Sequence, residues 1–314
     1  MAKTYSFHRR AGFWLSDLAI RGVFGLMLAL PWATRVRLMG WFTSRIIAPL
    51  AGYSGRVRAN LNHVMPELPD TEVRRLMRAV PDNVGRTLIE IYSGAEFMKR
   101  ISKLPLTGDG AATLEQAITQ KRPIVLVTGH FGNHMVPRAA MFARGHPVGA
   151  LYNPMQNPYF NAHYAKAMES FGKPMFPRGR KGYAQMLRYL SDGGTIGILV
   201  DQFMRNGEPL DFFGKPAMTA LSAAEMALKY DALIFPIYGV RQPDGLTFEV
   251  VVEPPLEHTN ARDMTQALND SLEAITRQHM DQWFWVHRRW KPERMEKLVR
   301  AREERAARAN GDSD

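Results

Sequence analysis

A histidine follows one of the most apolar runs in the chain and begins a turn that contains glycine. The run at 123–127 reads Pro-Ile-Val-Leu-Val, and Thr128, Gly129 and His130 come directly after it. An imidazole with a pKa near neutrality can take a proton from a hydroxyl, and it does so best when an acid on its other nitrogen fixes its tautomer. Gly129 and Gly132 allow backbone N–H groups to approach a ligand or a developing oxyanion. The pattern indicates either a general-base site or a histidine that caps the next helix.

Further motifs follow this histidine in order along the chain. The set is Gly-His-Phe-Gly-Asn at 129–133, Leu-Tyr-Asn-Pro at 151–154 with Asn-Pro at 157–158, Phe-Pro-Arg at 176–178, Gly-Ile-Leu-Val-Asp-Gln at 197–202, Phe-Phe-Gly-Lys-Pro at 212–216 and Trp-Val-His-Arg-Arg-Trp-Lys at 285–291. In this order the motifs resemble those of the bacterial lipid A biosynthesis acyltransferases, the lauroyl and myristoyl transferases, within the lysophospholipid acyltransferase superfamily. The resemblance covers most of the chain from about residue 55 onward.

The resemblance implies transfer of a fatty acyl group from an acyl-carrier-protein or coenzyme A thioester to a hydroxyl of a lipid A precursor or another acylated lipid. His130 would deprotonate the hydroxyl, and backbone N–H groups near Gly132 and Asn133 would hold the oxyanion. Arg178 would contact anionic groups of a substrate, and no metal or redox cofactor is implied. The predicted catalytic residues are His130 and Asp201, and the predicted substrate-binding residues are Gly132, Asn133, Met135, Asn153, Arg178, Gln202, Arg288 and Arg289.

Two positions depart from the family pattern. The family signature is a histidine, four residues and then Asp or Glu, whereas the residue at that place here is Met135. Many relatives carry an arginine where this chain has Asn153. Three hypotheses follow: a lipid A precursor as acceptor, a lysolipid with an amino-acid head group as acceptor, or a non-catalytic protein that binds lipid. Asp201 could orient His130 in place of the missing acid, or it could cap a helix or brace a loop.

The elements that position these residues alternate between strand and helix beyond residue 120. We predict strands at 123–128, 147–152, 194–200, 232–239 and 246–253, and helices at about 133–145, 158–172, 180–191 and 218–230. The alternation predicts an α/β fold with a mostly parallel central sheet flanked by helices, in which ligands collect at the carboxyl ends of the strands. His130 and Asp201 both follow predicted strands, so both belong to that edge.

The remaining chain is predicted to be largely helical. Residues 56–120 have a helical pattern, with Asp70 as an N-cap and a break at Pro81. We predict a membrane-associating segment at 1–55, an acyltransferase α/β domain at 56–292 and a charged tail at 293–314 that begins as a helix and ends disordered.

Composition narrows the classes of protein and of site. The 314 residues suffice for one large domain, and the absence of cysteine excludes disulfides, a thiolate nucleophile and a cysteine-ligated zinc. The histidines show no spacing typical of a metal site, so we expect none. No nucleic-acid-binding motif accompanies the basic residues, which argues against a nucleic acid partner.

The positive charge is concentrated near the N-terminus. Residues 1–66 contain nine Lys or Arg and one acid, Asp17, among many aromatic and aliphatic residues. This mixture predicts a segment that lies on an anionic membrane surface, and the family resemblance implies the cytoplasmic face of a bacterial inner membrane. The longest uncharged run, 22–34, is shorter than the roughly 20 residues that span a bilayer, so we favour a monotopic anchor. Asp17 and Arg21 could pair across one helical turn and allow insertion.

Overall fold

A seven-stranded sheet lies at the centre of the structure, a computed structural model that describes residues 5–311. The strands are β1 (Leu106–Thr107), β2 (Ile124–Thr128), β3 (Val148–Tyr152), β4 (Met175–Pro177), β5 (Thr195–Leu199), β6 (Glu208–Phe212), β7 (Lys215–Thr219), β8 (Leu233–Arg241) and β9 (Phe248–Val252). The sheet has the order β1-β9-β8-β2-β5-β3-β4, and β6 and β7 form a separate antiparallel hairpin. Within the sheet β8, β2, β5, β3 and β4 run parallel, and only the β8–β9 pairing is antiparallel. The predicted α/β fold with a mostly parallel sheet is confirmed.

Helices cover both faces of this sheet. The helices are α1 (Phe7–Leu28), α2 (Trp32–Phe42), α3 (Ala48–Leu50), α4 (Tyr53–Val64), α5 (Asp70–Tyr92), α6 (Gly94–Ile101), α7 (Ala111–Thr119), α8 (Met135–Ala143), α9 (Pro158–Glu169), α10 (Arg180–Ser191), α11 (Ser222–Tyr230), α12 (Ala261–Gln278) and α13 (Pro292–Gly311), with a π-helical segment Thr43–Ile47 before α3. Alternate residues of β2 face opposite layers: Ile124 and Leu126 pack with α6, α7 and α8, whereas Val125 and Val127 pack with α10, α11 and α12. All five β2 residues are buried, as expected for a strand covered on both sides.

The five predicted strands correspond to β2, β3, β5, β8 and β9. The short β1 and β4 and the hairpin β6–β7 were not predicted, because strands of two or three residues carry little periodic signal and each hairpin strand contains a proline. The hairpin also shortens one predicted helix: α11 begins at Ser222, because residues 215–219 belong to β7. Helix α12 was also not predicted.

The helical pattern at 56–120 resolves into α4, α5, α6 and α7 with β1 between the last two. The predicted break at Pro81 is wrong, because α5 continues through this residue to Tyr92. Proline removes one backbone N–H from a helix, but α5 buries a long apolar face against α2 and α4 that offsets this cost. Asp70 is the first helical residue rather than the N-cap, which is Pro69, and its carboxylate pairs with Arg58 at 2.9 Å.

The N-terminal segment forms helices, of which α1 is long and apolar enough to cross a membrane by length and composition, with a mean hydropathy of 1.3. Only 17% of its most apolar window is buried inside the protein. Asp17 is an exception: it is buried, lies 2.8 Å from His163 of α9 and lies 3.9 Å from Arg21, the predicted pairing partner. Large exposed apolar side chains are concentrated in the first 50 residues, among them Phe7, Trp14, Leu15, Leu18, Leu26, Leu38, Trp41, Ile46, Ile47 and Leu50.

The predicted segment boundaries stay predictions. The boundary after residue 55 falls inside α4, and the one after 292 falls at the start of α13. The tail is helical to Gly311, and the last residues of the predicted disordered end lie outside the described range.

Candidate active site

His130 and Asp201 meet at the carboxyl edge of the sheet. They follow β2 and β5, which are adjacent, parallel and in register, with Thr128 opposite Leu199. His130 Nδ1 lies 2.8 Å from Asp201 Oδ1. Asp201 Oδ2 accepts the backbone N–H of His130 at 2.7 Å and Nε1 of Trp283 at 3.1 Å. Because Nδ1 is engaged by the carboxylate, Nε2 is the imidazole nitrogen left for a substrate.

The charge of Asp201 is stabilised despite complete burial. Burial raises the pKa of this carboxyl, but the neighbouring imidazoles of His130 and His287 and the hydrogen bonds from His130 outweigh burial and hold the pKa below its usual range. The carboxylate is therefore ionised at neutral pH, the state that favours a proton on Nδ1 of His130 and a lone pair on Nε2. The side chain of His130 is 25% exposed, so this lone pair is accessible.

The turn after His130 is held rigidly by backbone contacts. Gly132 has a φ of 53°, and a Cβ at this position would lie 2.0 Å from the carbonyl oxygen of Gly239. The N–H of Gly132 donates to Gln282 O at 2.9 Å, and the N–H of Asn133 donates to Gly239 O at 3.3 Å. Both N–H groups thus have protein acceptors, which does not support the expectation that they hold an oxyanion. Both residues shape the turn, and Gly132 also lines the cavity beside His130, so the predicted substrate-binding roles of Gly132 and Asn133 stay predictions.

A buried ion pair braces the same turn, and the sequence did not predict it. Glu90 of α5 and Arg241 at the end of β8 form a salt bridge, with Arg241 Nη2 2.9 Å from Glu90 Oε2. Asn133 Nδ2 donates to Glu90 at 2.9 Å, and Arg241 Nε donates to Asn83 at 2.7 Å. Asn83 Nδ2 in turn donates to the carbonyl of Gly132 at 3.0 Å. Because all these groups are buried, the network fixes the turn relative to α5 and β8.

Two further histidines contact His130. The ring centroids of His130 and His134 are 5.2 Å apart, and those of His130 and His287 are 4.5 Å apart. Burial lowers the pKa of His134 to about 3 and that of His287 to about 4, so both are neutral at pH 7. Nε2 of His287 is buried with no hydrogen-bond partner among the described residues. The motif at 285–291 contains His287, but only the folded chain places it against His130.

His130, Asp201 and His287 are also the one group in the described residues with the composition and spacing to hold a metal ion. Their ligand atoms lie within 4.8 Å of one another. The hydrogen bond between Nδ1 and Oδ1 satisfies two of these three ligands without an ion. The expectation that the site contains no metal stays a prediction.

An apolar cavity of about 170 Å³ opens beside His130. It lies between α5, which contributes Val80, Val84, Leu88 and Ile91, and the segment that contains Phe284. A dry cavity of about 150 Å³ admits a molecule of the size of benzene, so this cavity admits about six carbon atoms of an acyl chain. A longer chain would extend through the cavity mouth.

Four of the predicted substrate-binding residues are exposed. Asn153 and Arg178 directly follow β3 and β4 and so lie at the same edge of the sheet as His130. Gln202 follows Asp201, and Arg288 follows His287. Their roles in binding stay predictions, and their positions are consistent with a substrate that approaches this edge.

Two predicted binding residues are instead buried in protein contacts. Met135 is 3% exposed and packs in the core cluster with α6 and α7, so we reassign it to core packing. Arg289 is fully buried, donates to Met218 O at 2.9 Å and to Gln202 O at 3.1 Å, and has a pKa lowered by burial to about 10. We reassign Arg289 to a positioning role, since it holds the loop that follows Asp201.

Comparison with known proteins gives consistent matches over most of the chain. The family described as "Bacterial lipid A biosynthesis acyltransferase" matches residues 2–292. A "Lipid A biosynthesis lauroyltransferase" of Escherichia coli is 26% identical over 290 residues, which cover 89% of this chain and 92% of the relative. A "Lipid A biosynthesis acyltransferase" of Haemophilus influenzae is 21% identical over 280 residues, which cover 88% of this chain and 86% of the relative.

Proposed function

This chain belongs to the bacterial lipid A biosynthesis acyltransferase family, and from that premise we propose that it transfers a fatty acyl group from a thioester to a hydroxyl of a membrane lipid, with His130 as general base. The observation that carries this proposal is the 2.8 Å contact between His130 Nδ1 and the buried carboxylate of Asp201. A histidine with an oriented tautomer and an accessible second nitrogen has the arrangement that general-base catalysis requires.

The proposed reaction is an acyl transfer in two proton steps. Nε2 of His130 takes the proton of the acceptor hydroxyl as its oxygen attacks the thioester carbonyl carbon. The tetrahedral intermediate then breaks its carbon–sulfur bond, and the imidazolium returns the proton to the departing thiolate. Asp201 stabilises the imidazolium in between without taking its proton. No cofactor is required for the balance of this reaction.

The apolar cavity beside His130 supports an acyl group as the transferred unit. Its walls are mostly aliphatic and aromatic, and His130 and His134 are the ionisable side chains besides Tyr164 that line it. A thioester carbonyl at its mouth, with the first carbons of the chain inside, would lie against His130. The exposed apolar residues of the first 50 positions support access from the membrane, at the cytoplasmic face of a bacterial inner membrane.

The donor and the acceptor are proposed more narrowly from the family. We propose an acyl-carrier-protein or coenzyme A thioester as donor and a lipid A precursor as acceptor, because the relatives of this chain are named for lipid A biosynthesis. Lipid extracts of a deletion strain test the acceptor. Loss of one lipid A acyl chain supports the proposal, whereas loss of a diacyl lipid with an amino-acid head group would replace the acceptor by a lysolipid.

Acyl transfer itself is tested with purified protein. The assay follows thiol release from a dodecanoyl thioester of acyl carrier protein, with and without the acceptor lipid in detergent micelles. We expect acceptor-dependent release that is lost in His130→Ala and kept in His63→Ala, a matched change at an exposed histidine of α4. Acceptor-dependent release that is equal in wild type and His130→Ala would refute His130 as the base, whereas no acceptor-dependent release from either would leave a lipid-binding protein without catalytic activity as the remaining hypothesis.

A further inference from the structure

A second cavity, of about 1020 Å³, adjoins the apolar cavity at His130. Asn83 and Gln282 line both cavities and form the wall between them. The other walls come from α5, the π-helical segment and its neighbours, the turn between β8 and β9, and the segment after α12. A ligand in this second cavity would therefore lie next to the proposed site of acyl transfer.

Arginine dominates the charged side chains of this second cavity, which we call the arginine cavity. Its walls contain the arginines Arg45, Arg74, Arg75, Arg78, Arg86 and Arg241 and the carboxylates Asp82 and Asp281. Such a lining favours an anionic ligand, because opposite charge attracts and the guanidinium groups supply several donors.

Four of these arginines already have a carboxylate partner. The pairs are Arg74 with Asp70, Arg75 with Glu72, Arg86 with Asp82 and Arg241 with Glu90. The Glu72 hydrogen bond raises the pKa of Arg75, and the negative charge of Asp281 adds to this effect. In contrast, Arg45 and Arg78 have no acidic partner among the side chains that the structure describes, and both side chains are exposed. These two guanidinium groups are therefore available to an external anion.

The arginine cavity also borders the apolar surface of the N-terminal segment. Trp41, which is 51% exposed, lines the cavity, and the exposed Ile46, Ile47 and Leu50 follow Arg45 along the chain. Exposed tryptophan and arginine beside exposed aliphatic residues are typical of the membrane interface, where lipid head groups lie. The cavity thus opens where it can receive a head group while the acyl chains stay in the bilayer.

We propose that the arginine cavity binds a phosphate group of the acceptor lipid through Arg45 and Arg78. The proposal rests on the proposed acyl transfer and adds the place at which a phosphate of the proposed acceptor is held. Guanidinium groups bind phosphate oxygens through paired N–H donors, and the volume of this cavity equals the upper end of the range of ligand pockets. Because the two cavities share a wall, a lipid whose phosphate is held in the arginine cavity would lie beside the cavity at His130.

Vesicle binding tests the cavity without reference to catalysis. Wild type and the variants Arg45→Gln and Arg78→Gln are sedimented with phosphatidylcholine vesicles, with and without phosphatidic acid as the probe. The matched control is Arg37→Gln, an exposed arginine of α2 that is not part of the cavity. We expect phosphatidic acid to increase the vesicle affinity of wild type and of the control. In each of the two cavity variants we expect this increase to be about tenfold smaller.

An equal loss in Arg37→Gln would show that diffuse surface charge, and not the cavity, binds the lipid, and would overturn the proposal. Binding of inorganic phosphate without a preference for vesicles that contain phosphatidic acid would show that the cavity binds a free anion. This result would also overturn the proposal. If the purified protein transfers no acyl group, the proposed function fails, but the vesicle result still decides whether the cavity binds phosphate.

Kinetics distinguish the acceptor from the donor. We expect Arg78→Gln to raise the KM for a phosphorylated acceptor about tenfold, with little change in the KM for the thioester donor and in kcat. A raised KM for an acyl-carrier-protein donor with an unchanged acceptor KM would instead assign the arginines to docking of the acidic carrier protein, which would overturn the proposal.

Discussion

Replacement of Asp201 by asparagine would reverse the tautomer of His130. Asp201 Oδ2 accepts two hydrogen bonds, from the backbone N–H of His130 at 2.7 Å and from Trp283 Nε1 at 3.1 Å. In the Asp201→Asn protein the amide oxygen must keep this position, because an amide N–H₂ group cannot accept a hydrogen bond. The N–H₂ group then faces Nδ1 of His130 and donates to it, which moves the ring proton to Nε2. The nitrogen that faces the acceptor hydroxyl is then no longer a base.

The expected loss in kcat is about 10⁴-fold, the size of the wrong-tautomer effect in a Ser-His-Asp triad. This corresponds to about 5 kcal/mol of lost transition-state stabilisation at 1.36 kcal/mol for each factor of ten. The fold should survive, because the amide keeps the same shape and its oxygen still accepts both hydrogen bonds. We expect a lower Tm, since the hydrogen bonds lose their charge-assisted character.

Thiol release from the acyl donor at saturating acceptor measures this loss, and circular dichroism verifies the fold. Asp109→Asn, the same change at an exposed aspartate before α7, is the matched control and should keep wild-type activity. The double variant His130→Ala, Asp201→Asn should be no slower than His130→Ala, because the carboxylate acts through the imidazole. A folded Asp201→Asn protein with a rate within threefold of wild type would refute the proposed orientation of His130.

Four other changes test neighbouring parts of the site. Gly132→Ala should destabilise the protein and abolish activity, because its Cβ would overlap a carbonyl of β8. The control is Gly214→Ala, which has a similar positive φ but open space around it, and its free energy of unfolding in a urea titration should fall by only about 1–2 kcal/mol. The free energy of unfolding should fall as the pH decreases from about 6.5 to 4, because the unfolded chain binds the protons of His134 and His287 more tightly than the folded protein does. Each histidine should contribute up to about 1.4 kcal/mol per pH unit. If the free energy of unfolding of His287→Gln depends on pH as steeply as that of wild type, this expectation is wrong. Met135→Glu should lower the Tm and give no gain in rate, because a carboxylate in the core is costly, whereas a rise of about 10²-fold or more would show that the site lacks an acid. Chelators should leave the rate unchanged, and a loss that zinc restores would show that the imidazole and carboxylate cluster binds a metal.

The sequence predicted that His130 and Asp201 lie at one edge of the sheet, but not which strands are neighbours there. Apolar runs before His130 and Asp201 predicted two buried strands, and parallel strands bring their carboxyl ends together. Two strands, β3 and β4, lie between β2 and β5 along the chain, yet β5 is the direct neighbour of β2 in the sheet. Strand order depends on packing of whole helices on the sheet, which local periodicity does not report.

The brace behind the turn could not be predicted for a related reason. Glu90 is on α5 and Arg241 is at the end of β8, so their separation along the chain gives no hint of a contact. Charged side chains in a sequence normally predict an exposed face, whereas Glu90 and Arg241 are buried. Arg289 shows the same effect: a basic residue in a basic motif resembles a ligand-binding group in the sequence, and complete burial makes it a support for the loop after Asp201.

Residue 135 shows how far a local signature constrains a mechanism. A carboxylate that accepts a hydrogen bond from Nδ1 sets the tautomer of His130, whatever its separation from His130 along the chain. Here that carboxylate belongs to Asp201, seventy-one residues away. In this chain the adjacency of β2 and β5 places Asp201 beside His130. The carboxyl of Asp201 has a lowered pKa and accepts a hydrogen bond from Trp283. Met135 can therefore pack in the core without loss of the base, since the orienting group is provided by the adjacent strand. The proposed chemistry of His130 therefore needs a carboxylate at Nδ1, which Asp201 provides, and does not need one at position 135.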